Sequence, residues 1–149
     1  AAMCAQAEHC EHEMRDKMKR WAIAPDVQDR VVARLVKERY IDNERYARAF
    51  VKDKIRYNKW GRRKVMQALW MKRIDDDIQH RVLDEIDDKE YIDVLIPLLK
   101  QKRKTIKAKS DYELNQKLAR FALGRGFDFG IIRQCMDVDD EMAELDEDC

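Results

Sequence analysis

Apolar residues recur along this chain at helical spacing, and the same pattern is written three times. Met14, Met18, Ile23, Val27, Val31 and Val32 reappear 51 residues later as Val65, Leu69, Ile74, Ile78, Val82 and Leu83. They return after a further 53 residues as Leu118, Ala122, Phe127, Ile131, Cys135 and Met136. Each copy reads as a short helical face, a turn, and a second helical face. Alternation of period two is absent, so almost no sheet is expected. Self-similar helical units that share a core stack into arrays, a shape used more often for binding than for chemistry.

The pattern predicts a first helix from about Glu8 to Trp21, its inner face carried by Cys10 or Glu11, Met14, Met18 and Trp21. Pro25 and Asp26 open the next helix, and Asp42, Asn43 and Glu44 form a turn with a cap for a third helix reaching about Tyr57. That helix buries Tyr46, Ala47, Phe50, Val51 and Ile55. Gly61 resets the chain before a fourth helix. Asp75, Asp76 or Asp77 caps the fifth, whose inner residues are Ile78, Val82, Leu83 and Ile86. A long helix follows over about 88–104, with a kink or break expected at Pro97, which lacks an amide donor. Ser110 and Asp111 cap a seventh helix, Gly124 and Gly126 end it, and Phe127 opens the last turn and helix. The expected fold is all-α, with tandem three-helix repeats forming an elongated, curved helical array. Its divisions are residues 1–57 for the first repeat, 58–109 for the second with the kinked linking helix, and 110–149 for a partial third repeat and acidic tail.

At 149 residues the chain is long enough to bury a core but short for two independent domains. Its formal charge of +1 conceals a strong sorting of charge along the sequence. Residues 52–73 carry nine cations against Asp53 alone, and residues 100–109 add six cations and no acid. From Asp137 to Asp148 there are eight carboxylates and no base. Such sorting predicts a surface for a polyanion, with a tail that screens it or meets a basic partner. A solvated helical surface and a frayed terminus would carry the same charges. No apolar run reaches membrane-spanning length and no secretory signal is evident, so a cytoplasmic protein is expected. Four cysteines at irregular spacing make no disulfide framework, and Cys135 falls at an apolar position of the repeat. Cys4, His9, Cys10 and His12 match no zinc spacing, so no metal is expected there.

Lys52 to Lys64, KDKIRYNKWGRRK, is the densest candidate surface. Lys52, Arg56, Lys59, Arg62, Arg63 and Lys64 are the candidate phosphate contacts, joined by Lys102, Arg103 and Lys104 from the second basic stretch. Tyr57 and Trp60 either stack on exposed bases, pack beneath an arginine plane, or fill the joint between repeats. Gly61, with Arg62 and Arg63 behind it, also places amide donors at a helix N-terminus, where an anion is favoured. The glycine spacing and lysine-hydroxyl pair of a phosphate loop are missing.

Tyr40 to Ile74 resembles the signature region of the RecX family of bacterial recombination regulators. The resemblance rests on the acidic turn Asp42, Asn43 and Glu44, the pair Tyr46 and Ala47, the basic helix Lys52 to Arg56, the turn Gly61, Arg62 and Arg63, and Leu69 with Arg73 and Ile74. KLARFALGRGFDFGIIRQCM resembles the closing repeat of that family, and Arg73 stands where many members have glycine. The resemblance spans about Glu8 to Met136. It implies a non-enzymatic, monomeric, all-helical protein without a cofactor that binds the RecA recombinase filament. Members modulate, usually negatively, its assembly, ATP hydrolysis and strand exchange, and some also bind single-stranded or double-stranded DNA.

An autonomous helical nucleic-acid-binding module is the other reading, supported by the basic zones but by no zinc finger or RNA-recognition signature. Catalysis finds less support. Asp75 to Asp77 and Asp87 with Asp88 read as capping turns, His80 lies on a helix flank, and Ser110 is the single serine of the chain.

Overall fold

The computed structural model describes residues 8–136, which contain eight α-helices and no strand. In chain order they are α1 (Glu11–Arg20), α2 (Pro25–Lys37), α3 (Asn43–Arg56), α4 (Arg62–Met71), α5 (Asp76–Asp84), α6 (Asp88–Arg103), α7 (Asp111–Gly124) and α8 (Phe129–Cys135). Cys4 and the acidic stretch from Asp137 lie outside the described residues, and the expectations attached to them lie there too.

Local chemistry starts these helices where the sequence marks them. Pro25 occupies the first turn of α2, where its missing amide costs nothing. Asp42 Oδ1 accepts the Arg45 amide at 3.0 Å ahead of α3, and Ser110 Oγ accepts the Glu113 amide at 3.1 Å ahead of α7. The Glu11 amide at the start of α1 donates across the fold to Asn43 Oδ1 at 3.0 Å.

The repeat is most exact in its turns. After α1, α4 and α7 the chain passes through Ala22 (φ 56°), Arg73 (φ 57°) and Gly126 (φ 92°), which are equivalent positions of the three copies. At each, the left-handed residue donates three residues back, Ala22 to Lys19, Arg73 to Trp70 and Gly126 to Leu123. The next residue donates five back, Ile23 to Met18, Ile74 to Leu69 and Phe127 to Ala122. This paired arrangement satisfies the last carbonyls of each helix and turns the apolar residue that follows back toward the core. Gln28 and Gln79, also equivalent, are buried and donate their side-chain amides to the Ile23 and Ile74 carbonyls at 2.8 and 2.7 Å. In the third copy the same place is held by buried Ile132.

The fold divides into two compact units. One holds Ala1–Lys52 and Ala68–Leu83. Its α1 packs on α2, and Met18, Val32, Ala47, Val51, Leu69 and Ile74 are buried in it. The other holds Asp53–Gln67 and Asp84–Cys149, with α6, α7 and α8 packed on one another around Leu95, Leu118, Ala122, Phe127 and Ile132.

Three local expectations are revised. Of the kink or break expected at Pro97, the break does not occur, and helix α6 continues through it. Pro97 and Asp93 are both exposed, so the Asp93 carbonyl that loses its amide partner faces solvent. Trp21 is 65% exposed rather than inward, because it is the C-cap of α1 and has left the face that Met18 occupies. Its equivalents in the other copies are Lys72 and Arg125. Val31 is 37% exposed although its equivalent Val82 is buried.

Candidate functional site

The turn from α3 to α4 belongs to the second unit and is shaped by one left-handed residue and one glycine. Lys59 has φ 57°, and the Trp60 amide reaches back to the Lys54 carbonyl at 3.1 Å, which folds the chain tightly against the end of α3. The Gly61 amide then donates to the Arg125 carbonyl at 2.8 Å, and the Arg63 amide to the Gly126 carbonyl at 3.0 Å. A Cβ on Gly61 would fall 2.3 Å from the Phe127 Cα and nitrogen, so only glycine permits this approach. The N-terminus expected to attract an anion therefore has two of its amides committed to carbonyls of a later repeat. Phosphate capture by those amides is replaced by an internal contact. In the first unit, Cys10 occupies the position equivalent to Gly61, and its thiol lies 3.9 Å from the carbonyl of Lys72, the equivalent of Arg125.

Around this turn two rings gather cations. The Lys54 and Lys64 ammonium groups lie 5.3 and 4.9 Å from the centroid of the half-buried Trp60 ring. The Lys102 ammonium and Arg125 guanidinium lie 5.0 and 5.3 Å from the Phe121 centroid. Arg125 Nη1 also donates to the Asn58 carbonyl at 3.3 Å, joining the second ring to the turn that carries the first. Ring quadrupoles hold these charged heads at about 0.5–1 kcal/mol each where solvent reaches them. The cations over Trp60 are lysines, not the arginine plane offered among its alternatives.

The predicted residues therefore separate. Arg56, Tyr57 and Lys59 are exposed at the end of α3, Trp60 and Lys64 pair as described, and Lys102 meets them through Phe121 and Arg125. Arg103 and Lys104 are exposed at the end of α6. Arg62 turns to Asp84 at 3.2 Å, and Arg63 is half-buried with its amide engaged. Lys52 is exposed on α3 in the first unit. Among the described residues no carboxylate forms an ion pair with Arg56, Lys59, Lys64, Lys102, Arg103, Lys104 or Arg125. Sequence reasoning missed Arg125, Phe121 and Lys54. The available signal was the spacing of Phe121 and Arg125, four apart at a helix end, which places a ring beneath a guanidinium.

Other clusters are occupied by ordinary contacts. His12 lies 3.2 Å from Asp16, and the buried Cys10 thiol is near Glu13, with its pKa raised chiefly by burial. No group of three or more His, Cys, Asp or Glu side chains among the described residues is placed to hold a metal ion. No helix among them is long and apolar enough to cross a membrane.

Comparison with known proteins gives three matches in chain order. Residues 2–35 match the first three-helix domain of RecX, residues 42–83 the second and residues 88–136 the third. Among curated relatives, the regulatory protein RecX of Clostridium perfringens (strain 13 / Type A) is 33% identical over 121 residues, covering 80% of this chain and 56% of that protein. The RecX of Finegoldia magna is 28% identical over 126 residues, covering 83% and 62%. The chain thus spans little more than half the length of such relatives. The crystal structure of RecX from Lactobacillus salivarius superposes with a TM-score of 0.80 at 20% identity, covering 97% of this chain and 91% of that one. A second RecX crystal structure gives 0.82 at 16% identity, covering 90% and 67%. At those identities the likeness shows the fold, an all-α array of three-helix repeats.

Proposed function

The chain belongs to the RecX family, and from that membership we propose that it is a regulatory protein that binds the RecA recombinase filament. It inhibits filament assembly, ATP hydrolysis and strand exchange. The observation that carries this reading is the ordered match of all three RecX domains along one chain. We take Arg56, Lys59, Lys64, Lys102 and Arg125 as one basic ridge that supplies the charge complement for such a partner, whose DNA phosphates or acidic side chains would meet cations that lack carboxylate partners among the described residues. The test is a titration into RecA on single-stranded DNA, following ATP hydrolysis and filament length. Slower hydrolysis or shorter filaments at substoichiometric protein is the expected result. An unchanged filament across a broad titration overturns the reading.

A second reading is favoured by the same ridge. Lys64, Lys102 and Arg125 lie over rings and have no carboxylate partner among the described residues, which suits direct phosphate binding, so the chain also acts as a nucleic-acid-binding module without the recombinase. Binding to labelled DNA in the absence of RecA, falling steeply with salt, tests it.

A further inference from the structure

Resting on the second reading, we infer that Tyr57 is the base-stacking contact of this ridge and directs it to single-stranded nucleic acid in preference to duplex. Three rings lie along the α3 to α4 turn and the end of α7, and they differ in what engages them. Trp60 and Phe121 each carry two cations. Tyr57 carries none, stands one residue beyond α3, and is 72% exposed. A ring so exposed contributes little to packing, and its removal leaves the core as it was.

Its neighbours say what it meets. Arg56 precedes it, Lys59 lies two residues beyond, and the carbonyl of Asn58 beside it is the one that holds the Arg125 guanidinium. A phosphodiester chain lying along these cations brings its bases within reach of the phenol. Only an unpaired strand presents a base face for stacking, because in a duplex both faces are covered by neighbouring pairs. Trp60 and Phe121 are positioning residues in this arrangement: they fix Lys64, Lys102 and Arg125 so that phosphates find a preset row. Trp70 is similarly exposed and has Lys72 and Arg73 beside it, but Lys72 is paired with Glu13 and Asp75, Asp76 and Asp77 follow directly, so its surroundings are mixed in charge.

Fluorescence anisotropy with labelled oligothymidylate and a duplex of matched length, without recombinase, tests the assignment. The parent chain is expected to prefer the single strand. Y57A should weaken single-strand binding by about tenfold, the effect of losing one stacked base, with duplex binding unchanged. Its salt slope should also be unchanged, because no phosphate contact is lost. Y57F should bind as the parent does, and R125Q should weaken both substrates and flatten the slope. Equal loss on both substrates, or full binding by Y57A, overturns the assignment. So does a Y57A protein that binds oligothymidylate normally but no longer slows RecA, since Tyr57 then touches protein; filament regulation as such would survive that result. Conversely, a parent chain that binds through Tyr57 and leaves RecA unaffected retains this inference and overturns only the recombinase reading.

Discussion

Three equivalent residues occupy the left-handed turn of the repeat, and only the last is glycine. Left-handed backbone costs a residue with a Cβ about 1–2 kcal/mol, against roughly 0.5–1 kcal/mol for the extra unfolded freedom of glycine. R73G should therefore stabilise the protein by about 0.5–1 kcal/mol in urea unfolding, and A22G by a similar amount. G126A should do the reverse. At φ 92° its new Cβ would stand 2.6 Å from the Lys64 nitrogen and 2.4 Å from the Lys64 Cβ, a loss of about 2–4 kcal/mol. Arg73 gave no local sign of this conformation, since arginine has no preference for it; the glycine at 126 did. Tyr91 poses a different residue-scale test. Its buried hydroxyl finds no partner among the described residues, and burial, partly offset by Arg62, pushes its pKa up to about 12. A folded pKa above the ordinary value near 10 means the native state holds the proton more tightly. The stability contribution is then complete below pH 10 and is lost as pH rises from 10 toward 12, by on the order of 2–3 kcal/mol. Y91F should remove that part of the alkaline loss and melt at or above the parent at neutral pH, which thermal unfolding across this range will show.

At the scale of elements, backbone meets backbone at the glycine that starts α4. G61A should cost more than about 2 kcal/mol, because its Cβ would meet the main chain of Phe127 rather than a movable side chain. A denaturation midpoint like that of the parent would mean the turn can separate from α4. The helices themselves were legible in the sequence, since apolar spacing, Pro25, Asp42 and Ser110 act within a few residues of where they are read. The partner of the Gly61 amide was not, because the accepting carbonyl lies 64 residues away at Arg125 and no local pattern announces it. The same distance hid the route from Lys102 to Asn58 through Phe121 and Arg125. A period of 51 to 53 residues also fixes no phase. The divisions at 57 and 109 rest on one choice of phase, and the matches at 42–83 and 88–136 open the later domains on α3 and α6 instead.

For the whole molecule, the near-neutral total charge is a poor guide, because binding depends on which cations remain unspent after folding. Arg62 is paired with Asp84 and Lys72 with Glu13, so reversing them would test ion pairs as much as a surface. Arg56, Lys59, Lys104 and Arg103 are exposed and have no carboxylate partner among the described residues, which makes them the sharper choice. Changing these four to glutamate should leave helicity and the unfolding midpoint near parental values, since none is buried and exposed charge changes cost little. DNA association at low salt should fall by at least about a hundredfold, and the salt slope should flatten by several counterions. Inhibition of RecA should shift to correspondingly higher protein concentration if these four cations serve both partners. Retained inhibition with lost DNA binding would divide the two activities, assigning these four cations to nucleic acid and the recombinase to another face. A folded variant that keeps both would make these cations a solvated surface and the candidate site mistaken.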